Sequence, residues 1–306
     1  MSETAADTTE LRPASGVVIG IPAYNEAATV GDVVRRARTD GVSVLVVDDG
    51  SDDRTAAAAR AAGATVVSHD RNRGYGAALA TLFRHAHEAD VDHLVVVDAD
   101  GQHDPEEALT LVDTQRSSGR DIVVGSRFVA GAQTDMPLYR RAGVAVINAL
   151  IAVALRLGYS STHIADTQSG FRAYSAEAIE MLACRTDLSD GMDASIDILF
   201  RAADENCTVT ETPVDVSYDV AEANTHNPVV HGGVLVRNVL ARVLSDRPVR
   251  VLGVPGSVCL VVGAVLSRVP LTGATLLSLL ITALVVMGGG LLGAALAIGR
   301  LRPRRY

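Results

Sequence analysis

The chain has 306 residues and a formal net charge of −9, long enough for one large α/β domain with something added. Residues 1–246 hold 20 arginines against 36 acids, whereas residues 247–306 hold seven arginines and no acid, so an acidic solvated part precedes a basic apolar tail. No basic patch lies on the acidic part, which excludes nucleic acid as the expected partner; 25 aspartates without one lysine fit a salt-saturated cytoplasm (a halophilic composition) or, alternatively, a GC-rich genome.

Residues 1–15 are polar and acidic and lack the basic patch and apolar core of a signal peptide, so they read as a disordered lead-in. Val17 to Ile21 is the first predicted strand. Pro22 stops its ladder, and Asn25-Glu26 opens a helix reaching about Arg38. Val44 to Val47 forms a second strand that closes on Asp48-Asp49-Gly50-Ser51-Asp52. An alanine-rich helix follows from Asp53 to Ala62, then a third strand over Thr65 to Ser68. Strands alternating with helices predict a parallel sheet with right-handed crossovers. Ligands bind beyond the carboxyl ends of such strands, which sets Pro22 to Glu26, Asp48-Asp49 and a later acidic pair on one rim.

Arg71-Asn-Arg-Gly-Tyr-Gly-Ala-Ala78 lacks the third glycine of a dinucleotide fingerprint and follows the wrong strand. Its glycines are expected to let a helix amino terminus approach a phosphate or the sheet rim closely. Leu94 to Val97 is a β-branched apolar block, a buried strand that halts at Asp98. Asp100 and Gln102 follow. Two aspartates spaced i, i+2 plus an amide at a strand's carboxyl end can turn their oxygens toward one point, a hard-oxygen set for Mg²⁺ or Mn²⁺. Such an ion keeps some waters and takes its other ligands from substrate phosphates, which points to a nucleotide or sugar-nucleotide site. The D-x-D spacing alone is weak in so acidic a chain, where Asp190, Asp193 and Asp197 also cluster. The strand before it and Gly-Gln-His-Asp-Pro after it strengthen it.

Ile122 to Val124 is another strand, with Gly125-Ser-Arg127 at its end; Arg127 either faces phosphate or sugar or is an ordinary surface arginine. A long apolar helix spans Leu138 to Leu157, and its part from Val144 reads most simply as core, with a lipid-contacting surface as the alternative. Asp166 to Tyr174 is polar and glycine-containing. Asp193 and Asp197 share a helical face. Val209 to Val216, with Pro213, reads as a late edge strand. His226, Asn227 and His231 either touch an acceptor phosphate or are simply solvated. Cys184, Cys207 and Cys259 have no metal-ligand spacing and read as small buried apolar residues.

Six motifs occur in order: Ile21-Pro-Ala-Tyr-Asn-Glu26, Val46-Val-Asp-Asp-Gly-Ser51, Asn72-Arg-Gly-Tyr-Gly-Ala77, Val97-Asp-Ala-Asp-Gly-Gln102, Gly125-Ser-Arg127 and Asp166-Thr-Gln-Ser-Gly-Phe-Arg172. Together they resemble the inverting family 2 glycosyltransferases of the GT-A fold, in the branch of dolichyl-phosphate mannose synthases and polyprenyl-phosphate glucosyltransferases, over roughly Val17 to Ser217. The resemblance implies a Rossmann-like α/β fold with a mostly parallel sheet and helices on both faces. It implies that Pro22, Tyr24, Glu26, Asp49, Asp98 and Ala99 hold the nucleotide. It implies further that Asp98, Asp100 and Gln102 hold Mg²⁺ or Mn²⁺ against the diphosphate, while Arg127 neutralises phosphate charge. In that family the segment containing Asp166, Gln168, Ser169 and Arg172 lies toward the acceptor. Asp197 falls where an acidic residue near the acceptor is common, an exposed acidic face being the other reading. Mannose synthases carry basic residues after the last strand, where this chain has Ser217-Tyr-Asp-Val220 and Asn224-Thr-His-Asn-Pro228, so the hexose stays open.

Residues 232–247 set Arg237, Arg242 and Arg247 at helical spacing among apolar residues, as an amphipathic helix on a membrane surface would. Val251 to Ser267 is a 17-residue uncharged stretch and Leu271 to Gly299 another of 29, joined at Arg268 to Pro270. They read as a transmembrane helical hairpin. Arg247 and Arg250 precede it and Arg300, Arg302, Arg304 and Arg305 follow it, so both ends and the catalytic domain are expected on the cytoplasmic side. Gly289 and Gly293 have small-xxx-small spacing for close packing within the hairpin or between chains, a route to a homo-oligomer.

The expected order is therefore a lead-in (1–15), a GT-A catalytic domain (16–231), an interfacial helix (232–248), two transmembrane helices (249–299) and a basic tail (300–306). The expected reaction moves a hexose from a UDP- or GDP-linked sugar to dolichyl or polyprenyl phosphate. A processive polysaccharide synthase is a rival, disfavoured because the chain has no tryptophan for the acceptor motif of those enzymes. A catalytically silent scaffold would not need intact Asp98, Asp100 and Gln102. A nucleotidyltransferase would not need the hairpin.

Overall fold

The computed structural model describes residues 11, 13, 15–132, 141, 143–149, 151–152, 164–184, 188, 194–216, 244, 248–267 and 275–300. Contacts divide the chain into two units, residues 1–152 with 162–226, and residues 153–161 with 227–306.

In the first unit, seven strands form one sheet: β1 (Val17–Ala23), β2 (Ser43–Asp48), β3 (Thr65–Ser68), β4 (His93–Val96), β5 (Ile122–Ser126), β6 (Arg172–Ser175) and β7 (Val209–Pro213). Their order is β3-β2-β1-β4-β6-β5-β7. The first four strands run parallel and β7 is parallel to β5, whereas β6 is antiparallel to both its neighbours. Helices α1 (Val30–Ala37), α2 (Thr55–Ala61), α3 (Tyr75–Glu88), α4 (Ala108–Ser118), α5 (Ala176–Ala183) and α6 (Ala194–Asp204) accompany them. This is the GT-A-like α/β architecture.

Every residue of β1 is buried, as a strand covered on both faces requires. Val17, Ile19 and Ile21 pack with Val33 and Leu111 in one layer, and Val18 packs with Leu79, Leu82 and Phe83 in the other. Burial of each such side chain contributes about 1.5–3 kcal/mol. Gly20 lies on the α3 side of the strand. A Cβ there would meet Leu82 at 3.0 Å and Leu94 at 3.1 Å, so the glycine lets α3 settle onto β1.

Several boundaries differ from expectation for local reasons. β1 continues through Pro22 to Ala23. The Gly20 carbonyl accepts from Val97 at the β4 side and the Ala23 carbonyl from Asp49 at the β2 side. By alternation, the N–H that Pro22 lacks would point to the β4 side, just beyond Val96, so the proline ends that ladder while the β2 side continues. α1 starts at Val30 rather than beside Asn25. Asn25 sits at φ 56°, and the backbone N–H groups of Asn25, Glu26 and Ala27 donate to Ser51, Thr55 and Asp53, which holds those residues out of the helix.

Arg172 to Ser175, read as part of a polar connection, is a strand between β4 and β5. Leu11 is fully buried in the core, so the lead-in is anchored at that residue; residues 1–10, 12 and 14 lie outside the described set. The core reading of the helix from Val144 fails in its described part: Val146 is 60% exposed, Ala145 and Ala149 are exposed, and only Asn148 and Ile151 are buried. The cysteines are not all buried either. Cys184 is exposed because it caps the end of α5, and Cys207 and Cys259 are half-buried.

In the second unit, a π-helical turn (Val249–Gly253) leads into α7 (Val254–Leu266), which packs on α8 (Thr275–Arg300). Pro255 is the second residue of α7, just past the π-helical turn, where the regular i→i−4 ladder is already interrupted. Segments of 18 and 21 residues, Val249–Leu266 and Ser278–Ile298, are long and apolar enough to cross a membrane. Their apolar side chains are not buried within the chain: Val258, Val261, Leu279 and Val286 are all more than half exposed. The helices meet through Gly256 and Gly288: a Cβ on Gly256 would lie 2.9 Å from the Gly288 carbonyl. Gly289 and Gly293 face open space instead. The expected interfacial helix, the Arg268 to Pro270 connection, Asp190, Asp193, His226, Asn227 and His231 lie outside the described residues, except that residues 244 and 248 are helical.

Candidate active site

A pocket of about 460 Å³ opens at the carboxyl ends of β1, β2 and β4. Its wall includes Pro22, Tyr24, Glu26, Asp49, Asn72, Gly74, Tyr75, Asp98, Ala99, Asp100, Gln168, Gly170 and Ser195. Tyr24 stands at the mouth, 41% exposed, with its ring free to stack on a planar group.

Hydrogen bonds fix this rim. Asp49 is buried, and its Oδ1 accepts from His69 Nδ1 at 2.6 Å. The far nitrogen of that imidazole lies 2.9 Å from the Thr81 hydroxyl on α3. Both Asp49 oxygens also accept the Arg73 N–H, and Oδ2 accepts the Gly74 N–H at 2.7 Å. The carboxylate thus pins the glycine turn that starts α3, where Gly74 holds φ at 92°.

Asp98 and Asp100 follow β4. Burial first, then the charge of Asp100, pushes the Asp98 carboxyl up to about 6, although a Tyr75 hydrogen bond and the Arg127 charge oppose the rise. Asp100 is raised by burial, against the Gln102 N–H that donates to its Oδ1 at 2.9 Å. Glu26 is raised by burial too, with the charges of Asp100 and Asp53 adding and the Thr29 hydroxyl opposing.

No arginine lines this carboxylate pocket among the described residues. Its carboxylates would repel a diphosphate, and a cation between the two sets of oxygens would offset that repulsion. Among the described residues no three His, Cys, Asp or Glu side chains are arranged to hold a metal ion unaided. The chemistry of the donor set nevertheless fits Mg²⁺ or Mn²⁺, because an ion of this kind completes its shell with substrate phosphate oxygens and water.

Of the residues expected from sequence, Pro22, Tyr24, Glu26, Asp49, Asp98, Ala99, Asp100 and Gln168 come together in the wall. Gln102 does not line the pocket, and its contact with the acidic pair runs through its main chain. Arg127 pairs with Asp166, which is fully buried. Glu211 on β7 holds the Asp166 loop by accepting the Ala165 and Asp166 N–H groups. Ser169 is buried beside it. Arg172 is also fully buried, and its guanidinium donates to the carbonyls of Ser195 and Thr167. Asp197 is buried on α6 and does not line the pocket.

Sequence reasoning missed Tyr75, Asn72, Gly74, Gly170 and Ser195 as wall residues and His69 as the brace behind Asp49. The first three sit in the glycine loop already expected to approach the rim. For His69 and Ser195 no local signal exists.

Residues 18–182 match the family described as Glycosyl transferase family 2. The polyprenol monophosphomannose synthase of Mycolicibacterium smegmatis is 32% identical over 68% of this chain and 80% of its own. The dolichyl-phosphate hexose transferase of Haloferax volcanii is 30% identical over 76% of this chain and 94% of its own. Among solved structures, glucosyl-3-phosphoglycerate synthase from Mycobacterium tuberculosis, crystallised with Mn²⁺, UDP and glucosyl-3-phosphoglycerate, superposes with a TM-score of 0.55. It is 21% identical, over 78% of this chain and 81% of its own, a likeness of fold.

Proposed function

The chain belongs to glycosyl transferase family 2 and is a glycosyltransferase, and from that premise we propose that it moves a hexose from a nucleotide diphosphate sugar to a polyprenyl or dolichyl phosphate at the membrane. The observation that carries this reading is the convergence of Tyr24, Glu26, Asp98 and Asp100 on one pocket at the carboxyl ends of the parallel strands. In this reading Tyr24 stacks on the base, and Pro22, Ala99 and Glu26 bound the nucleoside. Asp98 and Asp100 hold the cation, with Gln102 shaping their turn. Arg127, Asp166, Ser169, Arg172 and Asp197 do not line the pocket and would act from behind Gln168, by supporting the acceptor side.

A bound Mg²⁺ or Mn²⁺ would supply electrostatic stabilisation of the departing diphosphate, where negative charge develops. The chain's own residues orient the sugar and keep the diphosphate fixed. A phosphate monoester acceptor is already anionic near neutral pH, so little general-base help is needed. The relatives named for polyprenol and dolichyl phosphate support a lipid acceptor. The exposed apolar hairpin supports membrane attachment, which brings the enzyme to an acceptor confined to the bilayer. The arginines flanking residues 249–299 support a cytoplasmic catalytic domain over residues 16–231, an interfacial helix over 232–248 and a cytoplasmic tail over 300–306.

The test incubates full-length protein in membranes with labelled UDP- and GDP-hexoses, Mn²⁺ and extracted polyprenyl phosphate. Label entering the chloroform phase with one donor supports the proposal. No transfer with any donor, or transfer to a soluble acceptor only, overturns the lipid assignment.

A further inference from the structure

We propose that Tyr75 is a positioning residue for Asp98: its phenol holds that carboxylate, and the missing side chain of Gly170 leaves it room, in the orientation in which it would meet the cation. The inference rests on the metal-and-diphosphate reading of the pocket and adds to it two residues that no motif of the acidic pair contains.

Three distant segments meet here. Tyr75 is the first residue of α3, Asp98 follows β4, and Gly170 lies in the loop before β6. The Tyr75 hydroxyl donates to Asp98 Oδ1 at 2.9 Å. A Cβ built on Gly170 would stand 2.8 Å from Asp98 Oδ2 and 2.9 Å from the Tyr75 hydroxyl, so any side chain there would strike both groups. The carboxylate therefore has a donor on one oxygen, while the other occupies space that a side chain at residue 170 would take.

Asp100 needs no such support, since the N–H of Gln102, two residues on, orients it locally. Among the described residues, the hydrogen bond to the Asp98 side chain comes instead from Tyr75, 23 positions earlier. The phenol is itself held in place: Asp49 clamps the Gly74 N–H, which sets where α3 begins and hence where Tyr75 points. The brace runs from His69 through Asp49 and Gly74 to Tyr75 and ends on Asp98.

The test measures Mn²⁺ binding to purified full-length protein in detergent, with UDP or GDP present, from the electron paramagnetic resonance signal of free Mn²⁺. Tyr75→Phe, Gly170→Ala, their double variant and Asp100→Ala are compared with wild type, and a metal-free thermal melt confirms that each is folded. Tyr75→Phe is expected to weaken Mn²⁺-nucleotide binding about tenfold, the scale of one lost hydrogen bond to a charged group. It is expected to raise the Mn²⁺ concentration for half-maximal transfer while kcat at saturating Mn²⁺ changes less. Gly170→Ala is expected to do the same, and the double variant is expected to fall well short of the product of the two defects, because both act through one carboxylate.

Wild-type Mn²⁺ binding by Tyr75→Phe, or a double variant equal to the product of the singles, overturns the inference. If Tyr75→Phe binds normally while Asp100→Ala loses binding, the metal site stands and Tyr75 has no part in it. If Asp100→Ala binds normally as well, the metal reading itself falls. Should Gly170→Ala fail to fold, Tyr75→Phe alone decides.

Discussion

Arg127 and Asp166 form a forked ion pair: Nε lies 2.7 Å from Oδ2 and Nη2 2.8 Å from Oδ1, and the Arg127 backbone N–H donates to the same carboxylate at 3.1 Å. The aspartate side chain is 0% exposed and the arginine 15%. This contact joins the end of β5 to the loop that carries Gln168 into the pocket wall.

Removing one partner strands a buried charge, so Asp166→Asn is expected to destabilise the first unit by about 3–5 kcal/mol in urea unfolding followed by circular dichroism. Burial raises the Asp166 carboxyl, but the Arg127 hydrogen bonds and charge outweigh it and hold the group below its usual range. Its contribution is therefore present above the unfolded carboxyl pKa of about 3.8 and lost as pH falls through the lower folded value. The variant should lack that acid slope.

Asp98 behaves in the opposite sense. With its folded pKa at about 6 against 3.8, the metal-free protein binds more protons folded than unfolded between those values. Metal-free stability is expected to fall as pH rises through that window and to level off above it. Asp98→Asn should remove this part of the slope, as denaturant midpoints from pH 4 to 7.5 will show.

In the hairpin, a Cβ on Gly288 would lie 2.7 Å from the Gly256 carbonyl, whereas one on Gly289 meets nothing within 4 Å. Gly288→Val is expected to spread α7 and α8 and lower the detergent melting temperature. Gly289→Val is expected to leave it unchanged in a monomer, and a shift confined to concentrated samples would identify the open glycine face as a contact between chains.

The native cysteines report topology. Cys184 is exposed on the first unit and Cys259 lies within α7. A membrane-impermeant maleimide is expected to label Cys184 in inverted vesicles and not in intact cells, and to leave Cys259 unlabelled in both. Labelling of Cys184 from outside the cell would contradict the cytoplasmic placement.

The rim was readable in the sequence because buried parallel strands declare themselves as β-branched runs, and the carboxyl-edge rule then gathers Pro22, Asp49 and Asp98. β6 was hidden because Arg-Ala-Tyr-Ser begins with an arginine and contains no β-branched residue, unlike the equally short β3 and β4. The pattern of apolar residues cannot reveal that Arg172 is buried when its partners are the carbonyls of Thr167 and Ser195, the latter 23 residues away. Gln102 was read through its side chain, whereas its N–H makes the contact. Tyr75 escaped because a first helical residue carries no sign of the carboxylate it will meet 23 positions later.

The most direct test of the metal-assisted transfer is hexose incorporation into extracted lipid by membranes holding Asp100→Ala, beside wild type with Mn²⁺ and with a chelator. Loss of one oxygen ligand should lower turnover by at least about a hundredfold, as removal of transition-state charge stabilisation does elsewhere, and the chelator should silence wild type. Turnover by Asp100→Ala near the wild-type rate, insensitive to the chelator, would contradict it.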